Sequence, residues 1–460
     1  MLFDESRRAH ALCPLRTVRD AEGRGRAIRH DPRIRVSDGL VSVRRARVAL
    51  LGILAIGGGC SLPTRTANQP EKSASRPYVV LVSFDAFRHD YIDRYKPAAF
   101  LDVASRGVRA SALIPSFPSK TFPNHFTLVT GLYPGRHGIV GNSFYDPQRL
   151  AWYRLTDRNS VRDSSWYSGE PIWVTAERRG VKAGAFFWPG SEAAIGGQRP
   201  SYMIPYDATT PNVNRVLGAV SWMRKPPAER PHLVLLYFSD VDDTTHRFGP
   251  DAPQTAGAVA SVDRALRQLL DSIGRLPYAD SVNVVLVSDH GMAQISADRF
   301  MPVGDLLARA GLDTTRMEVS DNGPTMSLWF GSDSARLQRA HAVLDASLGH
   351  ARAYLRSETP ARWHVRENPR AGDLLLVADE GWVLVRRAAD KITSRGAHGY
   401  DPALANMHGI FLAAGPGVRR LGVIPAFENV HVYPFLVALL HLDRPRVVDG
   451  NARALAFILR

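Results

Sequence analysis

Five short, largely apolar runs constrain this chain more than any other feature: Tyr78 to Phe84, Val181 to Trp188, His232 to Phe238, Val282 to Val287 and Gly409 to Ala414. Apolar runs that do not alternate with polar residues belong to strands covered on both faces, which predicts a central, mostly parallel sheet. Amphipathic stretches such as Ala256 to Ile273 and Val430 to Leu440 supply helices for the two covering layers, an α/β architecture. Between about residues 301 and 391 the texture changes. A helix at Ser334 to Leu348 and short strands at Leu374 to Val377 and Trp382 to Val385 predict a smaller α+β insertion. The folded domain is expected over residues 77–460.

The chain ahead of it reads differently. Residues 1–40 are Arg-rich and aperiodic, either an unstructured extension or upstream sequence read in from a wrong start. Residues 41–60 place Arg44, Arg45 and Arg47 before the apolar run Val48 to Gly59 and Cys60, the layout of an export signal. The run is short for a membrane span. A cysteine after small residues also has the form of a bacterial lipoprotein signal. The expectation is therefore an exported protein of the bacterial periplasm or envelope, with lipid attachment at Cys60 as an option against which Gly57, three places before it, counts; a buried helix of the fold is the alternative to export. Residues 61–76, polar and proline-containing, read as a linker. The two cysteines, Cys13 and Cys60, both precede the domain, so no disulfide framework holds its body.

The formal net charge is +14, of which residues 1–49 supply +6, from 12 Lys/Arg against 6 Asp/Glu, leaving +8 for the rest. A moderately basic body favours anionic substrates. No dense Lys/Arg run interleaved with aromatics is present, so no nucleic-acid partner is expected. No pattern specifies an oligomeric state.

In open α/β sheets, ligands bind beyond the carboxyl ends of strands. Asp85 closes the first run, Asp242 and His246 follow the third, Asp289 and His290 follow the fourth, and His398 sits in Gly396-Ala397-His398-Gly399-Tyr400-Asp401. Three aspartates and three histidines at one edge provide donors for two zinc ions, each about 2.0–2.2 Å from its ligands. Singly these residues say little, because an Asp at a strand end often caps a helix. Their value lies in occurring together and in this order. Asp240 and Asp243 flank Asp242 and are conceivable substitutes for it.

The remaining motif is Phe117-Pro118-Ser119-Lys120-Thr121-Phe122-Pro123-Asn124-His125, followed by Leu132-Tyr133-Pro134-Gly135-Arg136-His137-Gly138-Ile139-Val140-Gly141-Asn142. With the segments around Asp242, Asp289 and His398, it resembles the nucleotide pyrophosphatase/phosphodiesterase branch of the alkaline phosphatase superfamily, from about Tyr78 to the end of the chain. The resemblance implies an alkaline-phosphatase-like fold and hydrolysis of phosphodiester or pyrophosphate bonds, with release of a nucleoside monophosphate through a phosphothreonine intermediate on Thr121. It implies that Asp85, Thr121, Asp289 and His290 hold one zinc and Asp242, His246 and His398 the other. It also implies that Asn142 and the Phe122 backbone N–H hydrogen-bond the phosphate, and that Phe122, Tyr237 and Tyr206 stack on a base. His125 does not read as a ligand, His408 reads as structural or as a support behind the ligands, and Arg136 with His137 as tying down the loop.

Three rivals share the fold. A phosphomonoesterase needs added cations, and Ser201-Tyr202-Met203-Ile204-Pro205-Tyr206 lacks the Lys-X-Arg pair that related threonine-type phosphatases carry. A phospholipid head-group phosphodiesterase would use the same metals. An exported binding protein on an inactivated fold would show losses among the ligands, and every matched position holds a ligand-competent residue.

Overall fold

The computed structural model describes residues 76–460 apart from 315, 316, 444 and 446. The expected extension, export signal and Cys60, and the linker up to residue 75, lie outside the described residues. Eight strands form the main sheet: β1 (Tyr78–Phe84), β2 (Val108–Ala110), β3 (Ala183–Phe186), β4 (Tyr202–Ile204), β5 (Leu233–Phe238), β6 (Val282–Val287), β7 (Phe411–Ala414) and β8 (Gly422–Ile424). They lie in the order β8-β2-β7-β6-β1-β5-β3-β4.

Strand β1 explains the apolar runs. Val79 and Leu81 enter one core and Val80, Val82 and Phe84 the other, so both faces are apolar except at the buried Ser83 near the strand's end. Full burial of one such side chain contributes about 1.5–3 kcal/mol, and a charge placed at Val80 or Leu81 would have no partner there. Helices α1 (Ala98–Arg106), α3 (Asn212–Met223) and α5 (Pro253–Gly274) cover one face, α2 (Thr121–Thr130) and α6 (Val432–Leu439) the other. Helix α4 (Asp240–Phe248) follows β5 directly.

Strand β1 runs parallel to both β5 and β6, with Ser83 opposite Tyr237 and Val287, so all three chains leave the sheet at one level. Strand β7 differs from the parallel expectation, pairing antiparallel with β6 and β2. A continuous apolar run reports burial on two faces and carries no direction. The chain entering β7 therefore reaches the edge that its neighbours reach on leaving.

The 301–391 stretch contains its own four-stranded antiparallel sheet, in the order Glu318–Asn322, Thr325–Trp329, Leu374–Ala378, Ala351–Leu355, with the helix Ser334–Ser347. Val303, Leu307, Met326, Leu328, Leu344 and Leu376 belong to a core of its own. Val383–Val385 stands outside that sheet and pairs in parallel with Phe300–Pro302. Among the described residues no helix is long and apolar enough to cross a membrane.

Candidate active site

The common edge of β1, β5 and β6 collects Asp85, the loop Ser288-Asp289-His290 and the start of α4. Asp242 and His246 lie one turn apart on α4, and their i,i+4 spacing puts both on one face, with Asp242 Oδ1 3.4 Å from His246 Nε2. His398 arrives from Gly396–Ala397, which pairs antiparallel with Ala293–Gln294, and its Nε2 lies 3.7 Å from the same Asp242 oxygen. Gly399 after it has φ +112°, and a Cβ there would stand 2.3 Å from Lys120 Cε, so only glycine fits. Of the three aspartates in this segment, Asp242 alone joins the histidines. Asp240 accepts from Asn212 at 2.6 Å, and Asp243 is exposed.

Each histidine is oriented in the same way. Nδ1 of His290 donates to the Gly291 carbonyl at 2.8 Å, that of His398 to Ser119 at 2.9 Å and that of His246 to Gly396 at 2.9 Å. A carbonyl only accepts, so every Nδ1 carries a proton and Nε2 is the nitrogen that can offer a lone pair to a cation. His290 Nε2 lies 3.4 Å from Asp85 Oδ1 and 3.1 Å from Asp289 Oδ2. Asp85 Oδ1, Asp242 Oδ1 and Asp289 Oδ2 are buried without a hydrogen-bond partner. An unsatisfied buried polar group costs about 1–3 kcal/mol, more when charged. Three such oxygens facing imidazole Nε2 atoms fit a cation, which is the charge and the acceptor-binding group the cluster lacks.

The charged groups are strongly coupled: burial lowers His290, but Asp289 outweighs it and leaves that imidazole above its ordinary value. Burial, then Asp289 and Asp242, push the Asp85 carboxyl well above the usual range. Burial acts on Asp289 in the same sense, but His290 and His125 outweigh it and hold Asp289 far below that range. Burial, then His290, keeps His398 neutral by lowering it well below its ordinary value. Burial also lowers the Lys120 amine to about 7, against the pull of Asp242.

Thr121 is the first residue of α2, where backbone N–H groups are free of helical partners and the dipole favours negative charge. Its hydroxyl lies 3.3 Å from His290 Nε2. Asn142 is beside it, and its Oδ1 accepts the Phe122 N–H at 3.0 Å, which occupies that backbone donor and leaves the Asn142 Nδ2 group as the donor of the pair. Tyr237 also differs from the expected base platform. Its hydroxyl donates to Asp85 Oδ2 at 2.6 Å, and its ring stands edge-on to His125 and Tyr206. Phe122 and Tyr206 line the cavity with it.

Close geometry groups Asp242, His290 and His398 in one set and Asp85, His125 and Asp289 in another, a different division from the one expected by resemblance. In the second set His125 has no free nitrogen: Nδ1 donates to the Thr121 carbonyl at 2.9 Å and Nε2 accepts from Ser83 at 2.8 Å. It is a buried strut between β1 and α2, and its i,i+4 relation to Thr121 was the available signal. His408 donates to the Pro402 carbonyl at 2.9 Å, His137 holds Thr127 at 3.0 Å, and Arg136 pairs with Asp449, all structural as read.

The cavity over these residues has a volume of about 550 Å³. Its lining includes one lysine or arginine among the described residues, Arg158, which pairs with the buried Glu192. Sequence reading missed this pair, because the two residues meet only through the fold.

A family model described as type I phosphodiesterase / nucleotide pyrophosphatase matches residues 79–401. Ectonucleotide pyrophosphatase/phosphodiesterase family member 5 of Homo sapiens is 33% identical over 382 residues, 83% of this chain and 77% of that protein. Bis(5'-adenosyl)-triphosphatase enpp4 of Xenopus laevis is 34% identical over 369 residues, 80% of this chain and 78% of that protein. The structure of an inactive variant of murine ectonucleotide pyrophosphatase / phosphodiesterase 5 in complex with AMP superposes with a TM-score of 0.78 at 32% identity, covering 84% of this chain and all of that one.

Proposed function

The chain belongs to the type I phosphodiesterase / nucleotide pyrophosphatase family, and on that premise we propose that it releases a nucleoside monophosphate from nucleotide diesters by attack of the Thr121 hydroxyl on phosphorus, assisted by two zinc ions. The observation that carries this reading is the convergence of three imidazole Nε2 atoms and three unpartnered carboxylate oxygens beside the Thr121 hydroxyl. Asp85, Thr121, Asp289 and His290 would hold one cation and Asp242, His246 and His398 the other. Imidazole and carboxylate donors with no cysteine suit zinc. Bound there, the cations supply Lewis acidity, which lowers the pKa of a hydroxyl and offsets charge on a leaving oxygen.

The chain's own groups do the rest. The Thr121 Oγ–P bond forms as the bond from phosphorus to the leaving oxygen breaks, and the hydroxyl proton ends on the leaving group. Water then displaces Thr121 and frees the nucleoside monophosphate. The α2 N-terminus stabilises the charge on the phosphoryl oxygens, and the Asn142 amide adds a donor beside it. Phe122 and Tyr206 offer ring faces to a base. Tyr237 acts on Asp85 as a positioning residue. Export is part of the same proposal: residues 41–60 read as a signal, and the human relative is named an ectonucleotide enzyme.

Among the described residues, the one lysine or arginine that lines the cavity, Arg158, is held by Glu192, so the lining shows no unpaired cation for the second negative charge of a monoester. The zinc-loaded protein is therefore expected to hydrolyse thymidine 5'-(nitrophenyl phosphate) far faster than nitrophenyl phosphate. A monoester preference would sink the diesterase reading.

Tyr237→Phe separates two roles for that side chain. It keeps the ring face and removes the donor to Asp85. Partners that orient a metal ligand typically contribute 10–100-fold in affinity, so zinc affinity is expected to fall about tenfold in a chelator competition, with KM little changed. Unaltered zinc affinity would show that the hydrogen bond does not position Asp85.

A further inference from the structure

Helix α4 brings two polar faces to the cavity side by side. Asp242 and His246, four residues apart, turn to the cation cluster. Asp243 lies one helical step round from Asp242 and four residues after Ser239, the residue that precedes the helix, so Ser239 and Asp243 share the adjoining face. That face meets Tyr206, whose hydroxyl donates to Ser239 Oγ at 3.5 Å. Ser239, Asp242, Asp243 and Tyr206 all line the cavity. Asp243 therefore stands between the group of cation ligands and the ring offered to a base.

The three aspartates of α4 are engaged differently. Asp242 joins the histidines, and Asp240 accepts from Asn212 at 2.6 Å and from Ser261 at 3.4 Å. Asp243 is exposed at the cavity wall and has no ion-pair partner among the described residues; the Ser239 hydroxyl is the side chain that hydrogen-bonds it. One hydroxyl leaves most of the acceptor positions of a carboxylate open.

A nucleotide with its phosphate at Thr121 and the cation ligands, and its base against Phe122 and Tyr206, puts its sugar between them, in the part of the cavity that Asp243 lines. The donors a nucleoside sugar carries are its 2'- and 3'-hydroxyls. An ionised carboxylate only accepts, and its two oxygens have room for both. Hydrogen bonds with an ionised partner are the stronger ones.

We propose that Asp243 is the residue that recognises the ribose: its carboxylate accepts from the 2'- and 3'-hydroxyls, and the site favours ribonucleotide over 2'-deoxyribonucleotide substrates. This rests on the reading of the site as a nucleotide diesterase with the base at Tyr206, and it leaves the chemical step unchanged. A thymidine ester keeps its 3'-hydroxyl and remains a substrate, cleaved more slowly than a ribonucleoside ester.

The test compares kcat/KM for the nitrophenyl esters of adenosine 5'-monophosphate and 2'-deoxyadenosine 5'-monophosphate, using the zinc-loaded full chain and its Asp243→Ala and Asp243→Asn variants. The wild type is expected to favour the ribose ester about tenfold, the scale of one hydrogen bond to a charged group. Asp243→Ala is expected to reduce that preference to about twofold or less, and Asp243→Asn, which keeps an acceptor oxygen without the charge, to an intermediate value. The loss should fall on KM more than on kcat, because the sugar is held alike before and during the step. Equal use of the two esters by the wild type, or a preference that survives Asp243→Ala, would overturn the assignment and leave the diesterase reading standing. Loss of all activity together with bound zinc in Asp243→Ala would place Asp243 among the cation ligands and overturn it too. A wild type that cleaves neither ester would overturn the diesterase reading along with this one.

Discussion

Thr121→Ala is expected to lower kcat/KM for a nitrophenyl nucleotide diester by about 10⁴-fold or more, the scale seen when a nucleophile is removed from a catalytic unit. The loss should be confined to chemistry. Thr121 is the first residue of α2, and its hydroxyl makes one contact, 3.3 Å from His290 Nε2, while its backbone carbonyl still accepts from His125. The helix start is thus preserved, and the variant is expected to melt within a few degrees of the wild type. Its affinity for the product monophosphate should survive, because Phe122, Tyr206 and Asn142 are untouched. A variant that keeps a tenth of the activity would move the nucleophile elsewhere.

Removal of the cations is expected to have the second large effect, on both activity and stability. Without them Asp85 Oδ1, Asp242 Oδ1 and Asp289 Oδ2 stay buried and unpartnered, and burial together with repulsion from Asp289 and Asp242 raises the Asp85 carboxyl. Exhaustive chelation should abolish turnover, and added zinc should restore it. A ligand bound only to the folded state adds about 4 kcal/mol at a thousand times its Kd, so the melting temperature should fall by several degrees on chelation and recover with zinc in a concentration-dependent way. Retention of full activity and an unchanged melting temperature after chelation would remove the metal from the mechanism.

Much of the site was legible in the sequence because the main sheet is mostly parallel. Once β1, β5 and β6 are read as buried strands, Asp85, Asp289 and His290 must share an edge, and the four-residue spacing of Asp242 and His246 gives them one helix face. What stayed illegible depends on register and rotation. Tyr237 reaches Asp85 because Tyr237 pairs with Ser83 across two strands distant in sequence, which no local pattern encodes. The antiparallel course of β7 left no mark, because burial on two faces is the same in either direction. The bond between Asn142 and the Phe122 N–H joins a loop to a helix start, and the Arg158–Glu192 pair likewise closes only in the folded chain. The difference between Asp242 and Asp243 is one helical step, visible only when the helix is placed against the sheet.

The most direct test of Thr121 as the attacking group is to acid-quench the zinc-loaded wild-type protein during turnover of thymidine 5'-(nitrophenyl phosphate) and determine the mass of the peptide that contains Thr121. A thymidylate adduct on Thr121, absent from Thr121→Ala, is the expected result; an adduct on another residue, or rapid turnover with product oxygen taken from water in a single inverting step and no adduct at any quench time, would contradict it.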